Sequence, residues 1–178
     1  MSNGAVAVAP RVTITRVGED ASSILTNLFE HYLHDMAEWF GVETKDDGRY
    51  GYDPSLHWNR GDRVFLARVG GSLAGFAIVS TATKWLQAPD QYDMAEFFVI
   101  RRHRHSGVAE TMATTVWNEF RGRWLVRVFE RNAPAVPFWR RIVSTYTGGS
   151  YVEENPTIDG KKWVFLRFDN RAVRHGRN

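Results

Sequence analysis

Residues 96–113 run EFFVIRRHRHSGVAETMA. From Ala95 to Ile100 the chain is apolar at every position but Glu96, the pattern of a strand covered on both faces. A basic turn follows, and from Gly107 onward Val108, Met112, Val116 and Phe120 recur every fourth residue on one helix face. A buried strand that passes through a basic, glycine-containing turn into a helix leaves unpaired N–H groups at the positive end of the helix dipole, which is a cradle for an anion. Arg104 opens the turn, Gly107 lets the backbone come close to a ligand, and Ala109 keeps the first helical turn small. A plain strand–turn–helix would use the same glycine. The turn has no Gly-Lys-Ser/Thr of a P-loop and lacks the three spaced glycines of a dinucleotide fingerprint.

Upstream, Val12 to Val17 alternate as a short strand. After Asp20, read as an N-cap, Ile24, Leu25, Leu28, Phe29, Tyr32, Leu33 and Met36 recur at helical spacing and predict a helix to about Trp39. Residues 41–60 read as loop with one short helix between Pro54 and Trp58. Val64–Val69 and Leu73–Val79, separated by Gly70, Gly71 and Ser72, form a hairpin pattern. Downstream, Gly122 closes the helix after the turn. An apolar strand, Trp124–Phe129, leads to a helix from Pro134 to about Val143, a strand near Gly149–Glu153, a turn at Asp159-Gly160 and a strand Trp163–Phe168. The architecture is a single mixed α/β layer of the α+β type. Residues 1–10 read as a mobile lead-in, 11–168 as one domain, and 169–178 as a frayed basic tail.

The 178 residues are 43% hydrophobic and 24% charged, as in one globular domain. No apolar run reaches the length of a membrane span, and the first ten residues lack the pattern of a secretion signal, so a soluble cytoplasmic protein is expected. Cysteine is absent, which excludes disulfides, thiolate metal sites and a cysteine nucleophile. The formal charge of +3 is modest for a nucleic-acid partner, but it averages two unlike regions. Residues 30–62 hold eight acids against three bases, whereas residues 101–178 hold fifteen bases against seven acids.

Arg104-His105-Ser106-Gly107-Val108-Ala109 resembles motif A of the GNAT superfamily of acyl-CoA-dependent N-acetyltransferases, Arg/Gln-x-x-Gly-x-Gly/Ala after a buried central strand. Asn132-Ala133-Pro134-Ala135-Val136-Pro137-Phe138-Trp139 is similar to the family's motif B. The order of elements over residues 11–168 is also that of a GNAT fold, which implies one mixed, largely antiparallel sheet of six to seven strands with about four helices. The resemblance implies acetyl-CoA as co-substrate and no metal. Arg104, His105, Ser106, Gly107, Val108 and Ala109 would hold its pyrophosphate, the backbones of Phe98, Val99 and Ile100 its pantetheine arm, and Asn132 its far side. Arg101 and Arg102 would add positive charge, or serve only as solvated surface. Members of the family are often homodimers, although no residue pattern here shows one.

An amine attacking a thioester must be neutral, and a carboxylate is the usual group to take its proton. Glu96 is the first candidate, because a carboxylate inside an apolar strand is costly unless paired or used. An ion pair with a neighbouring arginine would account for it equally well. Asp93 is the second. The two differ by an odd number, so an unbroken strand would turn them to opposite faces. The family's general acid is a Tyr at the end of motif B, where this chain has Trp139. Tyr146 is the candidate replacement, or the thiolate leaves unprotonated. With no cysteine, direct transfer in a ternary complex is expected rather than an acetyl-cysteine enzyme.

The acidic stretch 30–62, interleaved with Tyr32, Trp39, Phe40, Tyr50, Tyr52 and Trp58, lies where the family builds its acceptor pocket, and it suits a cationic small-molecule amine. Two rival readings stand beside this one. One is an enzyme that acts on a protein or an aminoacyl-tRNA. The other is a non-catalytic module binding CoA or nucleic acid, for which Trp139 is the best argument.

Overall fold

The computed structural model describes residues 11–86 and 88–173. The lead-in of residues 1–10 and the last five residues of the basic tail lie outside them. Eight strands, β1 (Val12–Val17), β2 (Arg63–Val69), β3 (Ser72–Ser80), β4 (Gln91–Val99), β5 (Arg123–Phe129), β6 (Val152–Glu154), β7 (Thr157–Ile158) and β8 (Lys161–Asp169), form one sheet. Its order is β1-β2-β3-β4-β5-β8-β6, with the two-residue β7 paired to β8. Every pairing is antiparallel except β4 with β5, which is parallel. The helices are α1 (Ser22–Phe40), α2 (Ser55–Asn59), α3 (Val108–Glu119) and α4 (Ala135–Thr147).

The apolar stripe of α1 buries Leu25, Leu28 and Phe29 against Val64, Leu66, Phe76, Ile78 and Phe98 on one face of the sheet. On the other face α3 and α4 bury Met112, Val116, Trp117, Ile142 and Val143 against Val79, Met94, Val126, Val128 and Leu166. Each such aliphatic or aromatic side chain contributes about 1.5–3 kcal/mol on leaving water, so the two layers hold the sheet from both sides.

Several boundaries differ from the sequence reading for identifiable reasons. Asp20 does not cap α1; it lies in a single 3-10 turn, Glu19–Ala21, that precedes the helix. Strand β4 begins at Gln91 rather than Ala95, because the polar Gln91 and Asp93, both buried, hide its first half. Helix α3 ends at Phe120 in extended backbone, and Gly122 instead lies against Asp90 and Tyr92. Helix α4 runs to Thr147, and the strand expected from Gly149 begins only at Val152. The expected tail fails at its start. Asp169 is the last residue of β8, and Asn170 is fully buried, accepting a hydrogen bond from the Gly122 N–H (2.8 Å) and donating to the carbonyls of Trp117 (2.6 Å) and Phe120 (2.9 Å).

Two irregularities in β4 decide how its edge and its carboxylates are presented. First, β4 and β5 pair only from Gln91↔Arg123 to Met94↔Val126, so beyond Met94 the parallel strands part. Second, the register with β3 slips, from Ile78↔Glu96 to Val79↔Met94, leaving Ala95 as a bulge. A bulge inserts one residue and so reverses the alternation beyond it. Asp93 and Glu96, expected on opposite faces of an unbroken strand, therefore share the face that carries α1.

Candidate active site at the parting of two parallel strands

At the parting, β4 presents an edge that no strand covers. The Phe98 carbonyl oxygen lies 2.2 Å from where a Cβ on Gly75 would stand, so the polar groups of Phe98 point at β3. By alternation those of Phe97 and Val99 turn toward the opening. This corrects the set Phe98, Val99 and Ile100. Phe98 faces β3, and Ile100 donates its N–H to Ala74 O (2.8 Å) while its carbonyl accepts from His103 N (2.8 Å). Of the three, Val99 alone faces the gap, joined by Phe97, which the motif pattern does not mark.

The turn beyond β4 follows from its residues. Arg101–His103 form one 3-10 turn, and His105 (φ 60°) and Gly107 (φ 80°) both adopt left-handed backbone, which curls the chain into the start of α3. No side chain caps α3, so the N–H groups of its first turn, around Val108 and Ala109, are left to a ligand. The Ser106 hydroxyl donates back to His103 O (2.7 Å). Arg104 is not a free phosphate ligand: its Nε donates to Val99 O (2.8 Å) and its terminal nitrogen pairs with Asp35 of α1. Arg101 pairs with the same carboxylate at 3.0 Å. Burial pushes the Asp35 carboxyl up, but the two arginines outweigh it and hold the group below the usual range. Asp35, unmarked in the sequence except as one acid of a helix, thus bolts the turn to α1. The backbone carbonyl of Asn132 accepts from the N–H groups of Ala135 (3.0 Å) and Val136 (3.3 Å) at the start of α4.

An uncovered strand edge ending at an uncapped helix, floored by Gly107, fits an extended chain that terminates in phosphates. Such a fit is what acetyl-CoA requires: amides for a pantetheine arm along Phe97 and Val99, and helical N–H groups for a pyrophosphate. Among the described residues no group of three or more His, Asp or Glu side chains is placed to hold a metal.

Glu96 lies in the parted half of β4, half-buried, and accepts a 2.6 Å hydrogen bond from the Tyr32 hydroxyl of α1. Burial pushes its carboxyl up, against the pull of Tyr32 and Arg127. Burial and the adjoining Glu96 together push the Tyr32 phenol well above its ordinary value. Asp93 is fully buried, and both its oxygens are taken by Arg127 Nε (3.0 and 2.9 Å), with Thr83 Oγ1 donating a further bond at 2.9 Å. Burial pushes its carboxyl up as well, and Arg127 and Thr83 pull it back. Of the two carboxylates, Glu96 has the freer oxygen. Arg127 carries a signal of the same kind in the sequence, since an arginine inside the apolar run Trp124–Phe129 is as costly as Glu96 inside its own.

Tyr146 does not reach the opening. Its hydroxyl donates to Asn118 Oδ1 (2.9 Å) and accepts from Asn170 (3.4 Å), and its ring packs on Trp117 and Phe168. Asn170 binds Gly122 just before β5, at the closed end of the sheet, so Tyr146 cannot replace the missing acid. Trp139 is buried, with its ring edge-on to Phe97 at 4.7 Å. On that side the opening is apolar.

The eight acids of residues 30–62 are largely used by the chain itself. Glu30 accepts from the N–H groups of Tyr50 (2.8 Å) and Gly51 (3.0 Å), Asp47 from Arg49 N (3.0 Å) and Asp53 from Ser55 N (2.9 Å). Asp35 and Asp62 are in ion pairs. Lys161 lies 5.0 Å from the Phe40 ring centre, and Arg127 5.5 Å from that of Trp85.

Comparison with solved structures shows the fold to be a known one. The chain is similar to yncA from Salmonella typhimurium, a putative acetyltransferase solved with acetyl-CoA, at 13% identity and a TM-score of 0.60, over 94% of this chain and 98% of that one. It is similar to the aminoglycoside acetyltransferase AAC(6')-Ib solved with coenzyme A and kanamycin, at 14% identity and a TM-score of 0.63, over 91% and 96% of the two chains. A third likeness is to a variant of the spermidine N-acetyltransferase SpeG from Vibrio cholerae, at 13% identity and a TM-score of 0.57, over 89% and 93%. No curated protein matches the chain in sequence. The acetyltransferase (GNAT) family matches residues 28–143, from the apolar face of α1 through the parted strands and the turn to α4, and the chain belongs to that family.

Proposed function

We propose that the protein transfers the acetyl group of acetyl-CoA to a primary amine of a small cationic molecule, by direct attack in a ternary complex. The observation that carries this reading is the half-buried Glu96 carboxylate, on the strand whose open edge fits the co-substrate, bonded among the described residues by Tyr32 alone.

Bound along β4, the co-substrate supplies an activated acetyl group as a thioester. Glu96 takes a proton from the acceptor ammonium, directly or through one water, and its raised affinity for protons brings it nearer to the amine's own. Tyr32 fixes which Glu96 oxygen remains free. The N–H groups of Phe97 and Val99 line the gap and hold the arm in place. Asp93 keeps Arg127 oriented and is a positioning residue. Trp139 supplies no proton to the sulfur, and none is required, because a thiol ionises near pH 8.5, about 1.5 units above neutrality.

Preference for a cation rests on three supports: the net negative charge of residues 30–62, the Tyr32 oxygen beside Glu96, and the acceptors of two structural relatives, an aminoglycoside and spermidine. Since most of those acids are locally paired, their contribution is a long-range field rather than a set of contacts. A cytoplasmic location belongs to the same proposal, acetyl-CoA being a cytoplasmic metabolite.

A panel of amines with labelled acetyl-CoA tests it, with thiol release as readout. Turnover of polyamines or aminoglycoside-like amines, lost in Glu96→Gln, is the expected outcome; turnover confined to acidic or neutral acceptors would sink the cationic assignment. Label found in precipitated protein or tRNA would move the acceptor to a macromolecule. One observation favours a second reading, a CoA-binding module without turnover: a tryptophan occupies the position of the usual acid, and Tyr146 is remote from the opening. Stabilisation by CoA with no thiol release from any amine would favour that module.

A further inference from the structure

Beneath the loop after α1 lies a second polar chain that the acetyl-transfer chemistry does not use. Asp62 is buried, and its Oδ2 lies 2.8 Å from Nδ1 of His57, itself only 1% exposed. The opposite ring nitrogen, Nε2, lies 2.9 Å from the hydroxyl of Tyr52, which is half-buried. The proton at one end of this chain can be placed. A carboxylate facing Nδ1 requires a hydrogen there, since two lone pairs would repel at that distance. Nε2 and the Tyr52 hydroxyl share one hydrogen bond, and whichever of them carries its hydrogen, the phenol oxygen keeps a lone pair. Arg60 reaches the same Asp62 oxygen at 3.1 Å and supplies its second donor. The Tyr52 oxygen can therefore accept a further hydrogen bond.

Its position gives that oxygen a use. The Tyr52 ring stacks on Phe29 with centres 4.1 Å apart, and Phe29 also touches Tyr32 at 5.6 Å, so the two tyrosines flank one ring. Among the charges around it, Glu96 acts most strongly on the Tyr52 phenol, which burial first and Glu96 next push up to about 12. A tyrosine needed only for packing gains nothing from a buried Asp–His pair, which costs desolvation and is replaceable by apolar residues at little or no loss of stability. An imidazole held by a buried carboxylate is how a hydroxyl is kept oriented.

We propose that Tyr52, oriented by His57 and Asp62, is a positioning residue for the acceptor: its oxygen accepts an N–H of the ammonium whose proton Glu96 removes. This rests on the N-acetyltransferase reading and names the group that aims the amine. A second oxygen near the carboxylate selects an ammonium with at least two hydrogens, one for Glu96 and one for Tyr52, which a primary or secondary amine supplies and a tertiary one does not.

The test is steady-state kinetics of the full chain with the best amine from the panel, comparing wild type, Tyr52→Phe, His57→Gln, His57→Leu and Tyr52→Phe/His57→Leu. Tyr52→Phe keeps the stack on Phe29 and should raise KM for the amine about tenfold, the size of one hydrogen bond to a charged group, with kcat and KM for acetyl-CoA within about twofold. His57→Gln should stay near wild type, because its carbonyl accepts from Tyr52 and its N–H donates to Asp62. His57→Leu should behave like Tyr52→Phe, and the double variant no worse than either. An unchanged amine KM in Tyr52→Phe would overturn the proposal. So would additive losses in the double variant, or failure of His57→Gln to rescue. If wild type acetylates no amine, the enzymatic reading falls and takes this one with it; if wild type turns over and Tyr52→Phe matches it, only this one falls.

Discussion

Glu96 is a residue whose chemistry and stability pull in opposite directions. A carboxyl that ionises later in the folded chain than in the unfolded one binds more protons when folded, so stability declines as pH climbs from the ordinary carboxylate range through the raised value. Glu96→Gln keeps an acceptor for Tyr32 and removes that penalty. It should lower kcat by about 10²–10³-fold and unfold at higher urea than wild type above the window, while matching it below. Equal urea midpoints at neutral pH would show that the charge is fully compensated. Tyr146→Phe is the converse: with its hydroxyl at the closed end of the sheet, it should cost about 1 kcal/mol of stability and leave turnover unchanged. A large fall in kcat would return Tyr146 to the site. Glu96 is legible in the sequence because one charge in an apolar run asks for an explanation. Tyr32, 64 positions away, is not, since it looks like any other member of an apolar helix stripe until the fold brings it to Glu96.

At the scale of elements, the strand–turn–helix of residues 96–113 can be read from pattern alone, because burial and helical period act locally. The bulge at Ala95 cannot, because it is defined only by a partner strand. That single residue decides that Asp93 and Glu96 stand on one face, and it overturns the parity argument built on an unbroken strand. The same dependence on a partner explains Gly75. Nothing in the hairpin sequence marks it, yet a Cβ there would meet the Phe98 carbonyl at 2.2 Å. Gly75→Ala should push β4 away from β3, cost about 1–3 kcal/mol and raise KM for acetyl-CoA more than KM for the amine. A wild-type acetyl-CoA KM would mean that the edge at Phe97 and Val99 tolerates the shift.

For the whole molecule, charge divides along the sequence into an acidic and a basic region, and the fold spends most of the acids on backbone N–H groups and arginines. Net charge can be counted in advance; which charges will pair cannot. The end of the domain is also hidden, because Asp169-Asn170 looks like the start of a polar tail. Asn170 instead ties α3, the approach to β5 and α4 together from inside. Asn170→Ala strands several buried groups and should cost about 2–3 kcal/mol, whereas Arg171→Ala, which loses exposed ion pairs with Asp90 and Asp169, should cost about 0.5 kcal/mol or less. Urea unfolding of both variants checks the contrast, and equal losses would reject it.

The parting of β4 from β5 means that the molecule carries an unfinished sheet edge in its middle rather than at its rim. Uncovered edges invite pairing with other chains, and proteins ordinarily blunt them at the periphery. Here the edge is recessed between two strands of one sheet. The amides of Phe97 and Val99 should therefore exchange their hydrogens faster than the β3-facing amide of Phe98, although all three lie in the central strand. Saturating CoA should slow those two amides and leave Phe98 as it was; equal protection of all three without ligand would mean that the edge is already closed.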